Sequence, residues 1–195
     1  MSDWIACLDA DVLISMPDCD LLLELAQVGL YSIRWSPKIL SEVEKNLPEA
    51  NPRITPELVS KRMATMRKAF PDAMEERGSR MAGSVPAKVH PKDIHVVATA
   101  LIAKANVIVT NNIKDFAADE LCEIDVLVQS ADTFLLHQAT KDPLAVANAM
   151  VRITGRFRTP TTVEAYLERI VKRLPHFGAE MQNWMSAQAQ EAVLR

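Results

Sequence analysis

Short unbroken apolar runs alternate with stretches of helical spacing along the first two-thirds of the chain. Trp4 to Leu8 is one such run and stops abruptly at Asp9, the pattern of a strand buried on both faces with an acid at its carboxyl end. Pro17, Asp18 and Asp20 lead into an apolar segment, Leu21 to Val28, with Gly29 beyond it; this is the usual asymmetry of helix start and stop. A brief extended piece, Tyr31 to Trp35, comes next. Ser36 and Pro37 then read as the N-cap and first position of a helix whose apolar residues Ile39, Leu40, Val43 and Leu47 share one face. Thr55 and Pro56 repeat the signal for a helix ending near Phe70, and Gly78, Gly83 and Pro86 punctuate an irregular connection.

Helical spacing returns from Pro91 to about Ala105, with Ile94, Val97, Ala98, Leu101 and Ile102 on a buried face. Val107 to Val109 is a second buried strand that runs into Thr110, Asn111 and Asn112, and Val126 to Val128 is a third after a short helix. Helices between short apolar strands are the βαβ signature, so an α/β fold with a central parallel sheet is expected. After Ala131 the strands stop. Asp142 with Pro143 opens one helix, Thr161 with Glu164 spells a capping box for a second, and a third runs from about Phe177 to the end. The expected organisation is a sheet-bearing unit over 1–133 and a helical extension over 134–195 packed on it.

Composition alters this picture little. A chain of 195 residues, 49% apolar and 24% charged, suits one core with an appendage and excludes a disordered or collagenous protein. Cys7, Cys19 and Cys122 form no CxxC pair and suggest neither a disulfide framework nor zinc, so a cytoplasmic setting fits best. Ser2 and Asp3 are no basic leader, and no apolar run reaches signal or membrane length, so an unprocessed protein without a membrane role is expected.

Charge changes the picture more. The net value is only −3, too little to hold a nucleic acid by bulk attraction. It is unevenly spread: 4 basic against 10 acidic residues over 1–60, 6 against 3 over 61–80, 4 against 7 over 81–133, and 8 against 5 over 134–195. Acidic blocks alternate with basic ones, so an anionic partner would meet local patches.

In a parallel α/β sheet, ligands bind beyond the carboxyl ends of the strands. Asp9 and Asp11 follow the first strand, Asp115 follows the second after a loop, Asp93 begins the helix leading into that strand, and Glu42 lies on a helix between. Carboxylates gathered together raise one another's pKa and persist ionised only when a cation neutralises them. Oxygen ligands favour Mg²⁺ or Mn²⁺, whose bound water can attack phosphorus. Phosphodiester hydrolysis is the chemistry suggested. Plainer roles exist for each acid: Asp93 as a first-turn carboxylate, Asp115 as a helix cap near Phe116, Glu42 paired with Lys38 or Lys45. Asp9 is hardest to explain that way, because an unpartnered carboxylate ending a buried strand is costly. His95 is expected to serve packing or hydrogen bonding.

Four segments also carry a likeness: Leu8-Asp9-Ala10-Asp11-Val12-Leu13, Trp35-Ser36-Pro37-Lys38-Ile39-Leu40-Ser41-Glu42, Asp93-Ile94-His95-Val96-Val97-Ala98, and Thr110-Asn111-Asn112-Ile113-Lys114-Asp115-Phe116. In order and spacing, across residues 5 to 130, the chain resembles PIN-domain ribonucleases, in particular the VapC-like toxins of prokaryotic toxin–antitoxin pairs. The resemblance implies a three-layer α/β/α sandwich and an acidic quartet at Asp9, Glu42, Asp93 and Asp115. That quartet would bind one or two divalent ions, Mg²⁺ or Mn²⁺, which activate water against RNA. Thr110 and Asn112 would support it, and Asp11 would add a ligand or a hydrogen bond. Asn112 and Asp115 compete for the fourth corner, where a carboxylate suits a hard cation better. His90 or Lys92, just before Asp93, could meet phosphate instead of metal. The likeness also implies a homodimer and a cognate antitoxin. Lys61, Arg62, Arg67, Arg156 and Arg158, from the basic blocks, are candidates for contacts with RNA phosphates.

Two rival readings stay open. Asp9-Ala10-Asp11-Val12 after an apolar strand also spells the nucleophile and acid/base pair of a haloacid-dehalogenase-like phosphatase, although Val107 to Val109 is not followed directly by acids as that class requires. A PIN-like module that binds RNA or protein without cutting is the other, and retention of four acids argues against it.

Overall fold

The computed structural model describes residues 4–193. Four short strands, β1 (Ile5–Leu8), β2 (Ser32–Arg34), β3 (Val107–Val109) and β4 (Leu127–Gln129), form one parallel sheet in the order β2-β1-β3-β4. The extended piece after Gly29 is therefore a full member of the sheet, with Cys7 of β1 set between Arg34 and Ile108. Val107, Ile108 and Val109 are completely buried, as an apolar run without alternation demands when helices cover both faces.

The chain leaves β1 towards β2 on one side and returns to β3 on the other. The carboxyl ends of β1 and β3 thus form the switch point of the sheet, where an open α/β fold has its crevice. Helices α1 (Ala10–Ile14) and α2 (Met16–Gln27) connect β1 to β2. Gly29 ends this crossover at φ 85°, a conformation a side chain would strain. Helices α3 (Pro37–Ala50), α4 (Pro56–Ala69) and α5 (Ile94–Ile102) lead to β3. Their caps are those spelled in the sequence: Ser36 accepts from the Ile39 amide and Thr55 from the Leu58 amide. Ile39, Leu40, Val43 and Leu47 of α3 are buried along one face. A short helix α6 (Ala118–Cys122) precedes β4.

Four further helices follow: α7 (Ala131–Lys141), α8 (Pro143–Gly155), α9 (Val163–Ile170) and α10 (Pro175–Val193). Helix α7 is not announced by the apolar pattern, because two polar residues, Asp132 and Gln138, are among its buried positions. Helix α8 begins as expected, with Asp142 accepting from the Ala145 amide at 2.9 Å. The cap of α9 is Thr162, which accepts from Ala165, and not Thr161 as the capping-box spelling predicts. Helix α10 starts two residues before Phe177, and its first amides, His176 and Phe177, donate to the Asp132 carboxylate of α7. Gly178 lets α10 approach the end of α9, since a Cβ there would lie 2.7 Å from Val171. The extension shares its core with the sheet: Ala139, Met150, Ile153, Leu167 and Phe177 bury into the cluster that holds Leu8 and Val109. Tyr31 beside β2 meets Phe134 of α7 edge-on at 4.8 Å.

All three cysteines are free. Among the described residues, no helix is long and apolar enough to cross a membrane. Ser2 and Asp3, and the last residues of the predicted terminal helix, lie outside the described residues.

Candidate active site

Asp9 directly follows β1 and caps α1 with its own side chain: Oδ1 accepts from the Ala10 amide at 2.7 Å. Its other oxygen, Oδ2, accepts from Thr110 Oγ1 at 2.8 Å. Thr110 directly follows β3 and is completely buried. The two strand ends at the switch point are therefore joined side chain to side chain. Asp9 is only 6% exposed, and burial, with the Asp11 charge second, pushes its carboxyl up to about 7.

Asp11, two residues on in the first turn of α1, accepts from the Asn111 amide at 2.9 Å through Oδ2. Its Oδ1 is buried without a hydrogen-bond partner. Burial also raises its pKa.

Asp93 occupies the N-cap position of α5, one residue before its first turn, and makes no side-chain cap bond. It is largely buried and its Oδ2 lacks a hydrogen-bond partner. Burial raises its pKa, with Asp115 adding to the rise and Lys92 and His90 opposing it.

Asp115 ends a 3-10 turn, Ile113–Asp115, and α6 begins only at Ala118, so it does not cap that helix. Its Oδ2 accepts from Asn112 Nδ2 at 2.5 Å and lies 3.1 Å from Lys92 Nζ. Those two contacts hold its carboxyl below the usual range. Asn112 and Asp115, the two candidates for the fourth corner, are thus hydrogen-bonded to each other. The Asn112 amide also donates to Thr110 Oγ1 at 3.1 Å.

His90 joins this group. Its Nδ1 lies 4.0 Å from Asp93 Oδ2, and its backbone amide donates to the Asp115 carbonyl at 2.8 Å. His90, Asp93 and Asp115 each present one ligand atom within 4.8 Å of the others. The sequence alone offers His90 to phosphate rather than to metal; its place three residues before Asp93, one turn away, is the signal that joins it to the acids.

Glu42, on α3, stands apart from that trio. It is half-buried, 3.3 Å from Lys38 one turn earlier and 3.2 Å from His95 Nε2 on α5. The His95 nitrogen is poorly aligned for a hydrogen bond to it, since that atom has no hydrogen-bond partner. The surface pairing expected of Glu42 is therefore present, together with a contact to the helix that Asp93 begins. Lys92 is the cation among the acids, with Asp115, Asp93 and Asp9 all raising its pKa.

The basic candidates divide by partner. Arg62 donates to the Leu13 carbonyl at 2.7 Å, Arg67 pairs with Glu44 at 3.2 Å and Arg156 with Glu24 at 2.7 Å. Lys61 and Arg158 are exposed and form no ion pair among the described residues.

Known proteins share features with this chain. A family model described as the VapC50 C-terminal domain matches residues 131–183, which span α7 to the first half of α10. Over 92 residues the chain is 32% identical to VapC50 of Mycobacterium tuberculosis (strain ATCC 25618 / H37Rv), whose name proposes a ribonuclease. That alignment covers 47% of this chain and 54% of the relative, so the match spans about half the relative's length. No solved structure matches. The chain thus combines a parallel sheet in the order β2-β1-β3-β4, with acids at its switch point, and a following run of helices similar to the VapC50 C-terminal domain.

Proposed function

We propose that the protein is a metal-dependent endoribonuclease, a VapC-like toxin whose acidic quartet is Asp9, Glu42, Asp93 and Asp115. One observation carries the reading. Asp93 and Asp115 come within 4.8 Å of each other with His90, the Asp93 charge acts on Asp9 at the end of β1, and two buried oxygens, Asp11 Oδ1 and Asp93 Oδ2, have no hydrogen-bond partner. Such oxygens are costly unless a positive group meets them, and nothing in a purely structural role explains why the fold keeps them. A set of carboxylate oxygens suits Mg²⁺ or Mn²⁺, and Asp9, Asp93 and Asp115 are the residues that would hold it, with Asp11 and His90 beside them. When bound, a divalent ion supplies Lewis-acid stabilisation of a phosphoryl oxygen and lowers the pKa of water.

The chain's own residues prepare that chemistry. Ala10 and Thr110 each fix one oxygen of Asp9, and Asn112 fixes Asp115, so the carboxylates are oriented before substrate arrives. Lys92 offsets part of the negative charge that would repel an RNA phosphate. Of the five basic candidates, Lys61 and Arg158 are free to take phosphates, with Arg62, Arg67 and Arg156 able to do so only by sharing their present partners. The same reading implies an RNA substrate, a cognate antitoxin and a second copy of the chain as partners.

The experiment is cleavage of RNA by purified protein with Mg²⁺ or Mn²⁺, repeated with Asp9→Asn and Asp93→Asn. Loss of activity in both variants is the expected result, and persistent cleavage in both contradicts the proposal. A phosphoryl group trapped on Asp9 would support the phosphatase reading instead.

A further inference from the structure

We propose that Arg173, in the turn between α9 and α10, is a positioning residue for the candidate active site, acting through Asp18 and Asn111 on Asp11. The inference rests on the nuclease reading above for the meaning of the site, but its contacts stand independently. Asp18 lies in the first turn of α2 and is completely buried. Arg173 Nε donates to both of its oxygens, at 2.9 and 3.1 Å, and Asn111 Nδ2 donates to Oδ2 at 3.1 Å. Asn111 Oδ1 accepts from the Ala131 amide at 3.2 Å, the first residue of α7. One amide side chain is thereby held between α2 and the start of the C-terminal helices, and its backbone N–H points at Asp11 Oδ2 from 2.9 Å.

Asn111 sits between the two residues that orient the other acids: Thr110 holds Asp9, and Asn112 holds Asp115. A three-residue loop therefore sets three carboxylates, and its middle residue is pinned by a buried charge. A fully buried carboxylate requires a countercharge, and removing one partner of such a pair leaves the other strongly disfavoured. Without Arg173, the Asp18 carboxylate is left buried without its guanidinium partner and must turn towards other donors or water. That displaces the acceptor that holds Asn111 Nδ2, and the loop loses the anchor that fixes Asp11. The C-terminal helices thereby gain a role in the site, where a merely packed extension would have none.

Two alternatives make different predictions. Arg173 lines an open groove together with Asp11, Asn51 and Ile54, so it could instead touch RNA directly. It could also serve only to dock the extension, in the manner of Arg152 of α8, which pairs with Glu24 of α2 and with none of the loop residues 110–112.

The test uses the full chain and compares Arg173→Gln, Arg173→Lys and Arg152→Gln. Arg173→Gln is expected to lower kcat about tenfold or more, with KM changed less than about twofold, since small misplacements of reacting groups are costly. Arg173→Lys is expected to recover part of the activity. Arg152→Gln is expected to lower Tm while leaving kcat at the wild-type value. In parallel, the backbone amide resonance of Asn111 is expected to shift in Arg173→Gln and not in Arg152→Gln. A raised KM with retained kcat, or equal kcat losses in Arg173→Gln and Arg152→Gln, overturns the proposal. If the wild-type protein cuts no RNA, the nuclease reading fails by itself. The Asn111 resonance then still decides the coupling, and an unmoved resonance in Arg173→Gln overturns it.

Discussion

Thr110 Oγ1 donates to Asp9 Oδ2 at 2.8 Å across 101 residues of sequence, joining the ends of two adjacent parallel strands. The hydroxyl is one of the groups that counter the upward push of burial on Asp9. Thr110→Val keeps the shape and removes the donor, so Asp9 is expected to ionise at still higher pH. The acidic limb of the pH–rate profile for RNA cleavage should move upward, with activity at neutral pH falling by about tenfold. Thr110→Ser should keep the wild-type profile.

Asp9 also makes stability depend on pH in the metal-free protein. Its folded pKa of about 7 lies above the usual 3.8, so between those values the folded state holds a proton that the unfolded state has released. Its contribution is therefore lost as pH rises through that window. Asp9→Asn should raise Tm at pH 7 without metal by about 2–8 °C and flatten the decline between pH 4 and 7, as followed by thermal unfolding. Added Mn²⁺ should raise the wild-type Tm and leave that of Asp9→Asn nearly unchanged.

Lys92 competes with any incoming cation for the same charges. Its Nζ lies 3.1 Å from Asp115 Oδ2 and feels Asp93 and Asp9. Lys92→Ala is expected to tighten Mn²⁺ binding by about three- to tenfold in calorimetric titration, because removing a nearby like charge favours the ion. Weaker Mn²⁺ binding in that variant would mean that Lys92 helps to build the site instead.

Much of this site follows from local sequence signals, and the rest does not for identifiable reasons. β1, β3 and the caps at Ser36, Thr55 and Asp142 are legible because an unbroken apolar run or a capping residue before proline acts over a few positions. Helix α7 is not, because buried Asp132 spends its oxygens on the start of α10, which no local pattern records. Asp9, Asp11 and Asp115 are identifiable as candidates from their place after strands, and Asp93 from its place at the start of the helix that leads into β3. Their supports are less so: the bond from Asn111 to Asp18 and that from Arg173 to Asp18 span 93 and 155 residues. Charge counts mark the basic blocks, yet they cannot show that Arg67 and Arg156 answer Glu44 and Glu24 within the same molecule.

That division of partners bears on RNA binding. Arg158→Gln and Lys61→Gln are each expected to weaken binding at low salt and to reduce the slope of log K against log salt by about one for each phosphate no longer neutralised. Arg67→Gln, which breaks an exposed pair with Glu44, should change binding less. Equal slopes in wild type and in the Lys61 and Arg158 variants would remove those two residues from the interface.

Anomalous diffraction from crystals soaked in Mn²⁺ decides whether the acids at the switch point of the sheet hold a divalent ion. A manganese peak contacting carboxylate oxygens of Asp9, Asp93 or Asp115, absent from crystals of Asp93→Asn, is the expected result. A peak elsewhere, or none in crystals of protein that cleaves RNA, would contradict it.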